Sequence, residues 1–137
     1  MDARAFALLL GLGFGLVGMA GFVPGMTHSV PLTAPPLVVS HGYGLVLGLF
    51  PVNVLHNIVH LLFGGLGVMA YLGAFAPVTY ARVVAVAYAL LAVMGLVPGL
   101  DTTFGLVPIY GADVALHAVI AAAAAYYGFA TRVPARV

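Results

Sequence analysis

Four long apolar segments constrain the fold of this chain more than any other feature. They lie at about residues 6–23, 52–75, 78–97 and 111–130. A helix needs about 20 residues to cross about 30 Å of hydrocarbon. Only 5% of the 137 residues are charged, whereas a soluble domain carries about 25%. We therefore predict an all-α integral membrane protein, with residues 1–137 forming a single transmembrane domain.

The composition also excludes several function classes. The formal net charge is +1, and nucleic acid is not an expected partner because a phosphate-binding face needs clustered Lys and Arg. The chain has no Cys, which excludes disulfides, thiolate metal ligands and cysteine nucleophiles. The partner that the sequence does predict is the lipid bilayer.

The second half of the chain repeats the first. Gly-Leu-x-Pro precedes the second and fourth apolar segments, at residues 48–51 and 105–108, and Gly-x-Val-Pro-Gly ends the first and third, at 21–25 and 95–99. Each unit then contains two spans, so both units insert in the same sense. We expect a four-helix bundle of two repeated helical hairpins, with a pseudo-two-fold axis along the membrane normal.

Polar residues stand at matched positions of the two units. His56 and His60 follow the first Gly-Leu-x-Pro, and Asp113 and His117 follow the second. The members of each pair are four residues apart and share a helix face. Such side chains are costly in hydrocarbon and usually have a function there. If the two helices face each other, these four side chains form one site.

Three imidazoles and one carboxylate suit a transition metal ion such as Zn, Cu or Fe. We predict His56, His60, Asp113 and His117 as ligands, with Asn53, Asn57 and Tyr110 orienting the rings. Haem b is an alternative to the metal ion, because His60 and His117 at equal depth could be its axial ligands. We rank haem below a bare metal ion, since every Arg is predicted at the opposite face.

Two further interpretations remain open at this point. The His and Asp side chains could be interhelical polar glue in a structural or accessory subunit of a larger membrane complex, or in a homo-oligomer. Proton or ion conduction would need a polar path that the inner half of the bundle lacks.

We predict no catalytic residues, since no nucleophile stands beside a base, and whether the protein is an enzyme stays open. The histidines His28 and His41 are read as ordinary loop residues.

The arginines predict the orientation. Arg4, Arg82, Arg132 and Arg136 all fall on one side of a four-span bundle, which the positive-inside rule makes cytoplasmic. Both termini are then cytoplasmic, and the loop 24–51 is extracytoplasmic. We expect the first segment to be retained rather than cleaved, because it is longer than a signal-peptide core. Pro51 is placed in the first turn of the second helix.

Four parts of the chain carry a resemblance to a known family: FPVNVLHNIVHLLFG from Phe50 to Gly64, Tyr80-Ala-Arg82, residues 104–108, and the pair Asp113 and His117. With these the chain resembles an uncharacterised bacterial family of four-helix membrane proteins, domain of unknown function 4383. The resemblance covers nearly the whole chain, and NVLHNxxH is its specific element. It implies a four-span protein of the bacterial inner membrane and carries no activity, ligand or partner. The family pattern favours Asn where this chain has Tyr110.

Overall fold

A computed structural model describes residues 1–130 of the chain. Its helices are α1 (Ala3–Ala20), α2 (Val54–Leu72), α3 (Pro77–Gly95) and α4 (Ala112–Ala125), and its strands are β1 (Thr27–His28), β2 (Gly44–Val46) and β3 (Phe50–Val52). A π-helical turn, Tyr126–Ala130, continues α4. Within this part of the chain four helices are long and apolar enough to cross a membrane. The prediction of an all-α membrane four-helix bundle is confirmed.

The helix boundaries follow from local capping. The Asp2 side chain accepts a hydrogen bond from the Ala5 amide at 2.8 Å and caps α1. Asn53 caps α2 in the same way, and Pro77 occupies the first residue of α3, where its missing N–H has no cost. Gly73, at a φ of 91°, ends α2 in the left-handed conformation that glycine favours. The bounds of α1, α2 and α3 lie within three residues of the predicted spans, and α4 reaches the predicted end only together with the π-helical turn.

The helices pack as two hairpins, α1 against α2 and α3 against α4. Glycines allow the close approach in the first hairpin. A methyl group built on Gly64 would lie 2.9 Å from the Gly11 carbonyl oxygen, and one on Gly67 would lie 2.6 Å from that of Ala7. Small residues thus replace the hydrophobic drive that lipid cannot supply. Alanines and aromatic rings of α3 then join the hairpins, with Tyr88 buried between them.

The connection between α1 and α2 contains a small antiparallel sheet that the sequence analysis did not predict. Within the described residues, β1 pairs with β2 and β2 with β3. Pro51 lies in β3 and not in the first turn of α2, so that prediction is wrong. The reason is that Asn53 caps the helix, which leaves Pro51 in extended backbone, where a proline is compatible with the edge of a small sheet.

The outer surface of the bundle is apolar. Leucines and valines face outward along every helix, among them Leu16, Leu62, Val86 and Val119, each more than half exposed. In water such a surface would be unstable, but in a bilayer it contacts acyl chains. The helices therefore contact lipid on the outside and keep their polar side chains inside.

Candidate metal centre

The site is built where α2 and α4 begin. Each helix is preceded by a fully buried proline, Pro51 or Pro108, which brings the chain into the bundle before the helix starts. In the first two turns of each helix the polar side chains then point into the bundle. His56, Asp113 and His117 are each 3% exposed or less. Polar groups this deep in a membrane bundle indicate a functional site by default.

His56 has a fixed ring orientation. Its Nδ1 lies 3.0 Å from the Pro51 carbonyl oxygen, and a carbonyl can only accept, so Nδ1 carries the proton and donates. The Nε2 atom is then left with a lone pair. This is the arrangement that metal-binding histidines use, in which one nitrogen is held by a backbone carbonyl and the other binds the ion.

His117 is held in the same manner. Its Nδ1 donates to the Asp113 carbonyl oxygen at 2.8 Å and lies 3.2 Å from the Asp113 carboxylate oxygen Oδ2. The carboxylate contact is at ion-pair distance but outside hydrogen-bond geometry, because Oδ2 has no hydrogen-bond partner among the described residues. The His117 Nε2 is therefore also free to act as a ligand.

Three of the four predicted ligands come together. His56, Asp113 and His117 each offer one ligand atom, and these atoms lie within 4.8 Å of one another. The His56 and His117 rings face each other with centroids 6.1 Å apart. The backbones of α2 and α4 do not pack closely, so the two helices contact each other at this site through side chains. Bonds of about 2.0–2.2 Å to one ion would place any two ligand atoms no more than about 4.4 Å apart, so these three side chains would need to move slightly inward to share a cation.

His60 lies beside this group and not within it. Its ring is 4.4 Å from that of His56 and stacks on Phe14, with centroids 5.7 Å apart. Its Nδ1 is buried without a hydrogen-bond partner in the described part of the chain. His60 is therefore next to the candidate centre, and its Nδ1 atom makes no hydrogen bond within the described residues.

The three residues predicted to orient the rings have other contacts. The Asn53 amide nitrogen donates to the carbonyls of Val39 and Leu106, each at 2.7 Å, and Tyr110 pairs with the Tyr43 hydroxyl at 2.8 Å. Asn57 packs against Gly21, where a methyl group would clash with it. Backbone carbonyls take the orienting role, and these three side chains join loops and helix ends.

Phe14 and Tyr88 were missed in the sequence analysis. Phe14 stacks on His60, Tyr88 stacks on His117 at 4.8 Å, and the two aromatic rings stack on each other at 5.1 Å. The repeat contains the signal that could have found them. Each lies seven residues before the glycine that opens Gly-x-Val-Pro-Gly, at Gly21 or Gly95. Matched aromatic rings thus lie against matched histidines.

Cavities lie on both sides of the imidazoles. The larger, about 330 Å³, is bounded by His60, Asp113, His117 and Tyr88 at its polar end. The smaller, about 190 Å³, contacts His56 and the other side of His117. The candidate centre is therefore reached from apolar space on two sides.

The loop histidines stand apart from this site. His28 and His41 are exposed, and His28 belongs to β1. Nearby, Tyr43 joins the sheet to the Pro35 carbonyl and to Tyr110. Burial, and then the hydrogen bond with Tyr110, raise the pKa of the Tyr43 hydroxyl. This hydroxyl stays protonated and supports the loops above α2 and α4.

Comparisons with known proteins place the chain in a family. No curated protein and no solved structure matches it. Residues 4–130 match a family described as a domain of unknown function, DUF4383. Because that match includes all four membrane-spanning helices and every residue of the candidate centre, the chain belongs to the DUF4383 family.

Proposed function

We propose that this membrane protein binds one transition metal ion between α2 and α4, with His56, Asp113 and His117 as ligands. The observation that carries the proposal is the convergence of three ligand atoms within 4.8 Å in a buried site. Two imidazoles and a carboxylate leave one position of a tetrahedral ion open. His60 is adjacent and fills that position, or a water molecule does.

The protonation of the rings supports this assignment. Both His56 and His117 have Nδ1 held by a backbone carbonyl, which leaves the Nε2 lone pair of each ring available to an ion. The Asp113 oxygen Oδ2 has no hydrogen-bond partner in the described chain. A carboxylate oxygen without a hydrogen bond away from water is costly, and a bound cation lowers that cost. Zn, Cu and Fe all accept this donor set.

The alternative, in which the His and Asp side chains serve as interhelical polar contacts that hold the bundle together, is less well supported. Asp113 contacts His117 on its own helix, so the ion pair does not join one helix to another. Among residues 1–130, the contacts across helices at this site are ring contacts, such as that of His56 with His117. Interhelical polar bonds would be expected if fastening the bundle were the purpose.

Haem binding is also less well supported than a bare ion. Phe14 and Tyr88 already stack on His60 and His117, the two rings that would be the axial ligands. Arg4 and Arg82 bind the carbonyls of Tyr71 and Gly128, near the ends of α2 and the π-helical turn. They are therefore at the other end of the bundle from any propionate beside the histidines.

Cobalt substitution tests the metal proposal. Purified protein, first treated with chelator, is titrated with Co(II), and the visible absorption bands of a tetrahedral complex are recorded. We expect one ion per chain, displaced by Zn. His56→Ala and His117→Ala should each weaken binding by about tenfold to a hundredfold or more, because one ligand is removed.

His28→Ala and His41→Ala are matched controls, since they remove the same side chain from exposed loop positions. Both should bind Co(II) as the native chain does. Native protein that takes up no Co(II), Zn or Cu, or equal losses in loop and site variants, would contradict the proposed centre.

The duplication and the orientation belong to the same proposal. Matched residues have matched contacts: the glycines Gly21 and Gly95 pack on Asn57 and Val114, which follow His56 and Asp113 by one position. This supports two repeated hairpins. For Arg4 and Arg82 at one end, the positive-inside rule favours cytoplasmic termini, and the bacterial inner membrane rests on the family resemblance. Arg132 and Arg136 lie outside the described residues.

A further inference from the structure

We infer that the larger cavity binds a lipid-soluble phenol, meaning an aromatic ring with one hydroxyl and an apolar tail. The cavity has a volume of about 330 Å³, which is in the range of small-molecule sites. The inference concerns this cavity in the metal-free protein, because the proposed metal ion would use the same Asp113 carboxylate.

The cavity opens toward lipid between α1 and α4. Gly13 and Leu116 are exposed residues of its lining. These two helices do not pack closely along their length; they meet near the other end of the bundle, where Phe6 stacks on Tyr127 at 4.5 Å. A membrane-dissolved molecule can therefore enter sideways, without crossing the headgroup region.

The walls favour an aromatic ring. Phe14 and Tyr88 present stacked rings, and Phe50 of β3 also lines the cavity. Aromatic side chains gain from stacking with another ring beyond the apolar area that is buried. Apart from the polar end and the rings of Phe14 and Phe50, the lining consists of aliphatic side chains and Gly13, which suit a hydrocarbon tail.

The polar end favours a hydroxyl. His60 Nδ1 and Asp113 Oδ2 are buried, and neither has a hydrogen-bond partner among residues 1–130; both residues line the cavity. In its ionised form the Asp113 carboxylate only accepts, so it selects a ligand that donates. A hydroxyl donates and accepts, and so suits His60 in either tautomer. A carboxylate headgroup would be repelled by Asp113 when both are ionised.

Photolabelling of chelator-treated protein in lipid nanodiscs tests this inference. An alkylphenol with a diazirine in its tail is the label, and para-hexylphenol and its methyl ether, para-hexylanisole, are the competitors. The two competitors partition into lipid similarly but differ in the donor hydroxyl. We expect the phenol to compete at about tenfold lower concentration, the effect of one buried hydrogen bond.

Three variants locate the site. Gly13→Leu places a side chain in the cavity, whereas Gly15→Leu, on the same helix and also free of neighbours at its Cβ position, does not line it. We expect labelling of α1 and α4 peptides to fall severalfold in the first variant only. His60→Phe retains a ring on Phe14 but removes Nδ1, and should reduce the preference for phenol over anisole.

Equal competition by phenol and anisole in the native chain would overturn the inference, and so would undiminished labelling in a folded Gly13→Leu variant. The comparison of competitors uses native protein, so it decides the question even if a variant does not fold. Because the experiment contains no metal, its outcome is separate from that of the cobalt titration.

Discussion

At the scale of single residues, Asn53 shows how one side chain can serve several elements. Its carbonyl oxygen accepts from the His56 amide at 2.9 Å, and its nitrogen donates to the Val39 and Leu106 carbonyls. One buried amide therefore caps α2 and joins it to both loops above the candidate centre. Neither Ala nor Asp can satisfy all three partners.

Asn53→Ala should destabilise the protein by roughly 2–4 kcal/mol, because a cap is lost and two buried carbonyls lose their donor. Asn53→Asp keeps the cap acceptor but not the donor, and should also destabilise. Thermal unfolding in mild detergent, followed by circular dichroism, measures both. An Asp variant as stable as the native chain would show that the two loop bonds contribute nothing.

Tyr43 predicts a pH dependence with a definite sign. Burial raises the pKa of its hydroxyl in the folded state above the value of about 10 in an unfolded chain. The stabilisation is therefore complete below about pH 10 and is lost as the pH rises further. Between about pH 8 and pH 11, the unfolding temperature of native protein should fall more than that of Tyr43→Phe. Equal falls would contradict this assignment.

At the scale of elements, glycine determines how α1 and α2 meet. A methyl group on Gly67 would lie 2.6 Å from the Ala7 carbonyl oxygen and 2.7 Å from the Gly11 Cα, whereas one on Gly65 meets nothing within 4 Å. Both glycines belong to α2. Gly67 lies on the face of α2 that contacts α1, whereas Gly65 lies on a face without neighbours, so Gly65 is a matched control for Gly67.

Gly67→Ala should destabilise the bundle by about 1–3 kcal/mol, because α1 must move away from α2. Gly65→Ala should change stability by about 0.5 kcal/mol or less, as for a surface substitution. Unfolding by added denaturing detergent, with helicity as the signal, compares the two. Similar losses in both variants would mean that helix propensity, and not the close approach, is being measured.

These elements also show what the sequence could predict. The four helices followed from apolar length, and the convergence of His56 with Asp113 and His117 followed from the repeat. The sheet did not, because β1 has two residues and β2 and β3 three each, too short for an alternating pattern. The partners of Asn53 and Tyr110 depend on where distant loops meet, which local spacing does not encode.

At the scale of the whole molecule, the described arginines lie at one end and the candidate centre near the other. Arg4 and Arg82 each donate to a carbonyl near a helix end, both at 2.8 Å. Their charge does not vary with pH in the accessible range. This asymmetry predicts a single orientation in the membrane.

Cysteine labelling can measure that orientation, since the native chain has no Cys. Leu32→Cys lies in the exposed loop between α1 and α2, and Ala74→Cys lies in the exposed turn between α2 and α3. In intact cells an impermeant maleimide should label the first variant and not the second. Both should react after the membrane is permeabilised. If Ala74→Cys alone were labelled in intact cells, the protein would have the opposite orientation to the one proposed.

The glycine contacts between α1 and α2 also limit how the molecule can move. Gly11 and Gly64 approach so closely that not even a methyl group fits between them, so α1 and α2 are expected to move together as one unit. Widening of the gap between α1 and α4 is then expected to come from movement between the two hairpins. A bulky guest would be admitted by rotation of the α1–α2 hairpin as a rigid body against the α3–α4 hairpin.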